Sequence, residues 1–284
     1  ARNVRRVSRL NDRRIAKVTE THDPNAFELF KNAIFSIADE MALTVFRTTY
    51  SGVLKDNMDY STGFADANGK LAAQGLTLPG HLGSVPTGME SIMRHFRDDM
   101  APGDVFIMND PFDGGMHLPD IFVIKPLFHE GERLAFACTV CHHIDVGGRV
   151  AGSNASDSTE IYAEGLRIAP MKLYEAGKPD KSLLRMLHSN VRNPDQVLGD
   201  IQSMITANAL GGQRLLAFMA EYGLEDLAAL AAVVRGRSEA ATRAAIRAVP
   251  DGVYESELEA RPGAVELLRF KVRVHKKDDT IHIE

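Results

Sequence analysis

Apolar side chains recur at steps of three and four residues in the first strongly patterned segment, which starts near Asp23. This spacing predicts one long amphipathic helix that ends between Thr48 and Gly52. Asp23 is a suitable N-cap and Pro24 a suitable first helical residue. The apolar stripe consists of Phe27, Phe30, Ala33, Ile34, Ile37, Met41, Ala42 and Val45.

Strand-like runs separated by short turns follow this helix. Asn68-Gly69 after Phe64-Ala65 predicts a hairpin, and a buried strand is predicted over residues 105–108. DIFVIKPLF and GERLAFACTVCHH read as two more strands joined by a turn at residues 129–131, and RIAPMKLY as a further candidate. Between the hairpin and the strand at 105–108, LPGHLGSVPTG reads as a loop and MESIMRHFRDDM as a short helix. Because the links are too short for helical crossovers, we expect antiparallel or mixed pairing.

The second half of the chain changes from helical to β-like patterns. Leu, Ile, Met and Ala stripes run from about Asp180, with breaks predicted at Gly211-Gly212 and Gly223. From residue 249 the pattern alternates, and Asp278-Asp279 predicts a hairpin. The fold class is therefore α+β: an antiparallel or mixed sheet core with a long N-terminal helix, a C-terminal helical segment and the start of a further β module.

Four segments are predicted along the chain. They are a basic arm (residues 1–22), an α/β core that carries the functional site (23–178), a helical segment (179–248) and a β-rich module (249–284). The last segment stops within a strand pattern, so we expect it to continue beyond the chain. The arm contains Arg2, Arg5, Arg6, Arg9, Arg13, Arg14 and Lys17, and is interpreted as a solvated or subunit-contacting segment.

Composition places the chain among ordinary globular proteins. It has 284 residues, of which 44% are hydrophobic and 25% charged, with a net charge of −5. This acidic balance argues against nucleic-acid binding. The chain lacks both an apolar run of 18 residues and a signal-peptide pattern, so we expect a cytoplasmic protein without a membrane span.

Two cysteines, Cys138 and Cys141, form the only C-x-x-C pair. One such pair cannot supply a four-cysteine zinc site, and it lies within a predicted buried strand rather than at a helix start. Strand residues three apart point to opposite faces. We therefore interpret both as structural cysteines in a reducing compartment.

Histidines and aspartates concentrate where two predicted strands end. One group follows the strand at 105–108, and a second, in CHHIDVGG, follows the strand ending near Cys141; Asp59 and His81 lie in earlier loops. Adjacent histidines in an extended chain face opposite ways, so only one of His142 and His143 is expected to bind a metal. Imidazoles and carboxylates without thiolates suit zinc, manganese or iron. The alternative is that these residues only form turns and caps. The two groups are Asp110, Asp113, His117 and Asp120, and His142, His143 and Asp145.

Nucleotide-binding and serine-hydrolase motifs are absent from the sequence. It contains neither a Gly-x-Ser-x-Gly elbow nor a P-loop nor a Rossmann glycine fingerprint. If the chemistry needs ATP, we therefore expect another subunit to bind it.

Seven ordered blocks resemble the hydantoinase B/oxoprolinase family, from about Ala26 to Glu284. The blocks are ADEMALTVFRTTYS, DNMDYSTGFADANGKLAAQG, LPGHLGSVP, GDVFIMNDPFDGGMHLPDIFVIKPLF, HHIDVGG, GSNASDSTEIYAEGLRIAPMKLY and NVRNPDQVLGDIQSMITAN. The resemblance implies a catalytic subunit that hydrolyses a cyclic amide in a hetero-oligomer with an A-type, actin-like ATPase subunit carrying ATP and magnesium. Ketone carboxylation with bicarbonate is the alternative reaction, and a non-catalytic assembly subunit the alternative role.

The resemblance also implies residue roles. It makes Asp59, His117, Asp120 and His142 the ligands of one divalent transition metal, zinc or manganese before iron. It leaves His81, His143 and Asp145 as catalytic candidates on the substrate side or beside the ligands. Asp110 and Asp113 are then expected to shape the loop or to lie beside the ligands, and Asp110 is also a candidate on the substrate side.

Overall fold

A computed structural model of the chain describes residues 24–224, 227–260 and 267–284. The basic arm predicted for residues 1–22 and the N-cap predicted at Asp23 lie outside these residues. Contacts divide the chain into two compact units. Within the described residues, the first contains 24–155 and 160–231, and the second contains 156–159 and 232–284. The helical segment predicted for 179–248 is thus shared between the units.

The described helices lie between residues 24 and 96 and between residues 181 and 248. The long first helix has the predicted extent, since it is described from Pro24 and ends at Thr48. The seven helices of the described part are α1 (Pro24–Thr48), α2 (Gly52–Asp56), α3 (Pro79–Leu82), α4 (Val85–Phe96), α5 (Lys181–Asn190), α6 (Pro194–Tyr222) and α7 (Ala228–Ala248).

The first unit is built on a seven-stranded sheet, which confirms the predicted fold class. All its described pairs are antiparallel, and the strand order is β2-β1-β5-β4-β3-β6-β7. The strands are β1 (Tyr60–Asp66), β2 (Leu71–Gln74), β3 (Val105–Met108), β4 (Asp120–His129), β5 (Glu132–His142), β6 (Met171–Glu175) and β7 (Lys178–Pro179).

Both faces of this sheet are buried, in two separate apolar clusters. One face packs with α1 and α6, where Met41 and Met204 are fully buried; the other packs with α4 around Met89. A sheet covered on both faces needs apolar residues at successive positions, which is why β4 and β5 read as continuous apolar runs. Cys141 lies in the first cluster and Cys138 in the second, as the strand parity predicted, and neither forms a disulfide.

Two sequence predictions about helices were wrong. The segment predicted as a loop contains α3 and the first turn of α4, because prolines in the first turn of each helix favour a helix start. Gly211-Gly212 does not interrupt α6. A Cβ on Gly211 would lie 2.3 Å from the Met41 side chain, and one on Gly212 would lie 2.4 Å from Leu127. These glycines therefore let the helix approach its neighbours closely.

The second unit contains a three-stranded antiparallel sheet of β8 (Gly252–Ala260), β9 (Leu268–Lys277) and β10 (Thr280–Ile283). One face carries a ladder of ion pairs between glutamates of β8 and basic residues of β9, such as Arg273 with Glu255 and Arg269 with Glu259. The other face carries exposed apolar side chains, including Leu258, Phe270 and Ile283. None of the described helices has the length and apolar character needed to cross a membrane.

Candidate metal centre

Three chain segments meet at the end of the sheet where β4 begins and β5 ends. Asp120 and His142 are paired residues of these two strands. Asp59 directly precedes β1, and its carbonyl accepts the amide of His142 at 3.0 Å. The amide of His143 donates to the carbonyl of Pro119 at 2.8 Å. The backbone therefore fixes where Asp59, Asp120 and His142 lie before any side-chain contact forms.

A tight turn brings His117 to the same place. The amide of Asp120 donates to the carbonyl of His117 at 3.0 Å, so residues 117–120 form a four-residue turn, as Pro119 had indicated. The buried side chain of Asn109 connects this loop to the segment of residues 166–168 by hydrogen bonds. Its side-chain nitrogen donates to the carbonyls of Leu118 (2.7 Å) and Leu166 (2.9 Å), and its oxygen accepts the amide of Ile168 at 2.6 Å.

Three donor atoms form a nearly equilateral triangle. His117 Nε2 lies 3.0 Å from Asp120 Oδ1, His142 Nδ1 lies 3.1 Å from the same oxygen, and the two ring nitrogens are 3.1 Å apart. Neighbouring ligands of one ion with bonds of about 2.1 Å lie about 3.0 to 3.4 Å apart in octahedral or tetrahedral geometry. The triangle has the dimensions of three ligands around a common cation.

The donor chemistry of the triangle also fits a metal. The ionised carboxylate oxygen can only accept hydrogen bonds, and each ring nitrogen carries at most one proton. Hydrogen bonds therefore satisfy the three contacts only in part. A divalent cation satisfies all three at once, and zinc, manganese and iron accept this mixture of nitrogen and oxygen ligands.

Asp59 and His81 complete the cluster from the other side. Asp59 Oδ2 lies 4.0 Å from His142 Nδ1, and Asp59 Oδ1 lies 3.4 Å from His81 Nε2. His81 Nε2 is also 3.6 Å from Asp120 Oδ2. The His81 ring comes from α3, and its Nδ1 lies 3.3 Å from the hydroxyl of Ser61 on β1. The structure thus brings together the four predicted ligands and one of the three predicted catalytic residues.

Electrostatics separates the roles of these groups. Burial alone would raise the pKa of the Asp120 carboxyl, but hydrogen bonds from His117 and His142 and the charge of His81 hold it well below its usual range. The hydrogen bond to Asp120 raises the pKa of His117. Burial lowers the pKa of His81 and outweighs the carboxylates of Asp120 and Asp59. Asp120 is therefore ionised, and His81 is a neutral imidazole at neutral pH.

His143 and Asp145 do not join the cluster. The His143 ring is fully buried, and burial lowers its pKa to about 4. Asp145 is buried as well and accepts bonds from Arg192, at 2.7 Å from the guanidinium and 2.8 Å from the amide, and from Gly147 N at 3.1 Å. Within the described structure, Asp145 therefore fixes the loop after β5 rather than facing the triangle.

Asp110 and Asp113 shape the loop before β4, as the sequence indicated. Asp110 caps the 3-10 turn Pro111–Asp113 by accepting the amide of Phe112 at 3.0 Å. Asp113 accepts hydrogen bonds from Ser91 (2.6 Å) and Arg94 (3.1 Å) of α4. Gly114 follows at φ 98° and lies against the backbone of α4, so its freedom serves packing against that helix.

Sequence reasoning assigned no role to two residues that hold the site together. Asn109 ends the apolar run of β3, and an amide directly after a buried strand was the available signal. Asp200 is a fully buried carboxylate on the apolar stripe of α6, beside Val197 and Ile201. It accepts the amides of Tyr50 (2.6 Å) and Ser51 (3.2 Å) and the hydroxyl of Thr49. An acidic residue on an apolar helix face could have identified it.

The sequence is similar to those of a caprolactamase subunit and a 5-oxoprolinase. It is 32% identical to the caprolactamase subunit beta of Pseudomonas jessenii, over 93% of this chain and 46% of that protein. It is 30% identical to the 5-oxoprolinase of Dictyostelium discoideum, over 80% of this chain and 18% of that protein. The chain thus spans less than half the length of these relatives.

Solved structures show the same fold. The crystal structure of the ATP-dependent caprolactamase from Pseudomonas jessenii matches with a TM-score of 0.85 and 32% identity, over 93% of this chain and 46% of that chain. An acetone carboxylase structure without nucleotide matches with a TM-score of 0.80 and 17% identity, over 92% and 37%, and shows the likeness of fold alone.

The family model described as hydantoinase B/oxoprolinase matches residues 23–284, nearly the whole sequence. This match and the similarity to the caprolactamase subunit confirm the resemblance seen in the seven sequence blocks. The chain belongs to the hydantoinase B/oxoprolinase family.

Proposed function

We propose that this chain forms the metal-binding part of an ATP-dependent enzyme that hydrolyses a cyclic amide of the hydantoin, 5-oxoproline or lactam type. The observation that carries the proposal is the triangle of His117, Asp120 and His142, with Asp59 and His81 beside it. The cyclic-amide substrate is suggested by the caprolactamase subunit beta, of which this chain covers 46%.

The site residues divide the work between binding and proton handling. His117, Asp120, His142 and Asp59 would hold one divalent transition metal, zinc or manganese before iron. When bound, such a metal polarises a carbonyl oxygen or lowers the pKa of a water molecule. His81 lies between the two carboxylates as a neutral imidazole, so its ring can hold or release a proton next to a bound substrate.

ATP would enter through a partner in this proposal. The family relative is a subunit beta by name, and the solved caprolactamase is described as ATP-dependent. The sequence carries none of the common nucleotide-binding motifs, so an A-type ATPase subunit would bind ATP with magnesium and activate the amide oxygen. The functional protein is then a hetero-oligomer.

The test is an assay of the full-length protein, purified with its partner, on 5-oxoproline, hydantoin and caprolactam in the presence of ATP. We expect ring opening coupled to ATP consumption, with one equivalent of transition metal per chain by elemental analysis. Incorporation of labelled bicarbonate into acetone, without ring opening of any amide, would overturn cyclic-amide hydrolysis and select ketone carboxylation. Full activity in a complex without transition metal would overturn the metal centre and leave this chain as an assembly subunit.

A further inference from the structure

Two exposed aromatic rings flank the guanidinium of Arg167. Its central carbon lies 6.0 Å from the ring centroid of Phe112 and 5.5 Å from that of Tyr162. Phe112 is 78% exposed and Tyr162 is 73% exposed, and the side chain of Arg167 is 37% exposed. The three side chains, here called the Arg167 cluster, therefore form one continuous exposed surface of the first unit.

Hydrogen bonds of Asn109 place this cluster next to the metal centre. Its Nδ2 donates to the carbonyl of Leu118, which directly follows His117, at 2.7 Å. The same nitrogen donates to the carbonyl of Leu166, which directly precedes Arg167, at 2.9 Å. Because both carbonyls bind one donor atom, the backbone that carries His117 and the backbone that carries Arg167 are neighbours.

Asp110 fixes one side of the guanidinium. Arg167 Nε lies 3.3 Å from Asp110 Oδ2, and the other oxygen of this carboxylate accepts the amide of Phe112 at 3.0 Å. The two terminal nitrogens of Arg167 form no hydrogen bond or ion pair with residues 24–224, 227–260 or 267–284. They present a parallel pair of donors at the surface, and this geometry matches two oxygens of a carboxylate or a phosphate.

A role in folding explains only part of this arrangement. A partly exposed ion pair such as that of Arg167 with Asp110 contributes little to stability. Two rings exposed to water add nothing to the hydrophobic core, whereas flat apolar walls around a few fixed polar groups are the usual lining of small-molecule sites. A ligand would cover the rings while its anionic group contacts the guanidinium.

We propose that Arg167, with Phe112 and Tyr162, binds the carboxylate or phosphate group of the small molecule that occupies the metal centre. This inference rests on the proposed function, because it assigns these residues to the same reaction. A substrate of the 5-oxoproline type carries a carboxylate. Activation by ATP would supply a phosphate: the amide oxygen bonds to the terminal phosphorus of ATP, and the bond from that phosphorus to ADP breaks.

The first test measures anion binding to the full-length protein by calorimetric titration, with and without metal. The probes are inorganic phosphate, 5-oxoproline, and pyrrolidinone, which is 5-oxoproline without its carboxylate. We expect Arg167→Gln to weaken binding of phosphate or 5-oxoproline by roughly 10- to 100-fold, as for lost hydrogen bonds to a charged group, and to leave pyrrolidinone binding unchanged. Equal affinity of both proteins for both anions would overturn the proposal, as would unsubstituted protein that binds neither anion.

Arg94→Gln is the matched control. Arg94 is an exposed arginine that pairs with Asp113 of the same loop, but it comes from α4. Its loss should leave the binding of both anions unchanged, and an equal weakening in Arg94→Gln would overturn the assignment to Arg167. Arg167→Lys keeps the charge without the paired terminal nitrogens and serves if Arg167→Gln does not fold. Unchanged anion affinity in Arg167→Lys would likewise overturn the proposal.

Kinetics of the complex with its partner and ATP distinguish the two sources of the anion. If Arg167 binds the substrate carboxylate, Arg167→Gln raises the KM for 5-oxoproline and leaves caprolactam hydrolysis unchanged. If it binds the transferred phosphate, the substitution lowers kcat for both substrates. Unchanged kinetics with both would overturn the proposal. An unsubstituted complex that opens no cyclic amide would instead refute the proposed function, while the titration of the metal-free protein still decides the role of Arg167.

Discussion

The two ends of the β4–β5 hairpin carry opposite kinds of residues. At the closed end, Glu130 and Gly131 form a tight turn with positive φ angles of 50° and 87°. At the open end, the paired residues are Asp120 and His142, which belong to the candidate metal centre and do not form a turn. The same two strands thus end in a structural turn on one side and in the candidate metal centre on the other.

This contrast follows from chain connectivity. The closed end joins two strands by the shortest path, so its residues are chosen for backbone conformation. The open end receives longer segments from β3, β1 and α3, and these can bring ligands while the buried strands hold them rigidly. Changes at the closed end should therefore affect stability alone, whereas changes at the open end should affect metal binding.

The largest effect is expected from Asp120→Asn. The substitution keeps the shape of the side chain but removes the charge that two imidazoles contact. We expect metal affinity to fall by more than about 100-fold, a larger loss than for residues that only orient ligands. Equilibrium titration with Zn²⁺ measures it. Asp113→Asn, in the same loop but bonded to α4, is the control and should keep its metal. Equal affinity in both variants would refute the assignment of Asp120.

Alanine substitutions at Gly114, near the open end of the hairpin, and at Gly131, at its closed end, compare the two ends directly. Gly114 and Gly131 have similar φ angles, 98° and 87°, but a Cβ on Gly114 would lie 2.5 Å from the carbonyl of Thr87, whereas one on Gly131 meets nothing within 4 Å. We expect Gly131→Ala to lower the free energy of unfolding by about 1 kcal/mol and Gly114→Ala by roughly 3 kcal/mol. Chemical denaturation measures both. Similar losses would show that the open-end loop tolerates displacement from α4.

Arg192→Ala should give a smaller loss that depends on pH. The guanidinium donates hydrogen bonds to Asp145 and to the carbonyls of Gly147 and Gly148. We therefore expect the substitution to lower the free energy of unfolding by roughly 1–2 kcal/mol at neutral pH. Burial raises the pKa of Asp145, but the bonds from Arg192 and Gly147 lower it below its usual value.

The sign of this pH dependence follows from the lowered pKa of Asp145. Its stabilisation is complete above the unfolded value of about 3.9 and is lost as the pH falls through the folded value. Urea unfolding of the unsubstituted protein and of Arg192→Ala should be measured between pH 7 and pH 3. The difference between their free energies of unfolding should become smaller as the pH falls. A constant difference would mean that Arg192 acts through the carbonyls alone.

Much of the candidate site could be predicted from sequence because its proposed ligands lie at strand ends. Apolar runs placed β3, β4 and β5, and antiparallel pairing then brought the residues after β3 and β5 to one end of the sheet. Pro119 indicated the turn between His117 and Asp120. The parity of adjacent residues predicted that only one of His142 and His143 would lie at the site, and the family resemblance favoured His142; the buried ring of His143 lies outside the cluster.

The remaining features depend on tertiary contacts that local patterns do not report. Gly211 and Gly212 read as breaks, yet they lie inside α6 because Met41 and Leu127 need the space that a side chain would occupy. Asp145 reads as a catalytic candidate, but its partner Arg192 lies 47 residues away. Asp200 lies about 150 residues from the turn that it binds.

The pairing order of the sheet has a consequence for how the protein folds. His117, Asp120 and His142 belong to one hairpin and its adjoining loop, so they can meet as soon as that short segment forms. Asp59 arrives only with the pairing of β1 and β5, whose partners Tyr60 and Cys141 lie far apart in sequence and close a long loop. A refolding chain should therefore capture metal weakly through three residues first. In the proposed metal centre, the fourth ligand would then tighten the hold on the metal, and the release rate of metal would report completion of the sheet.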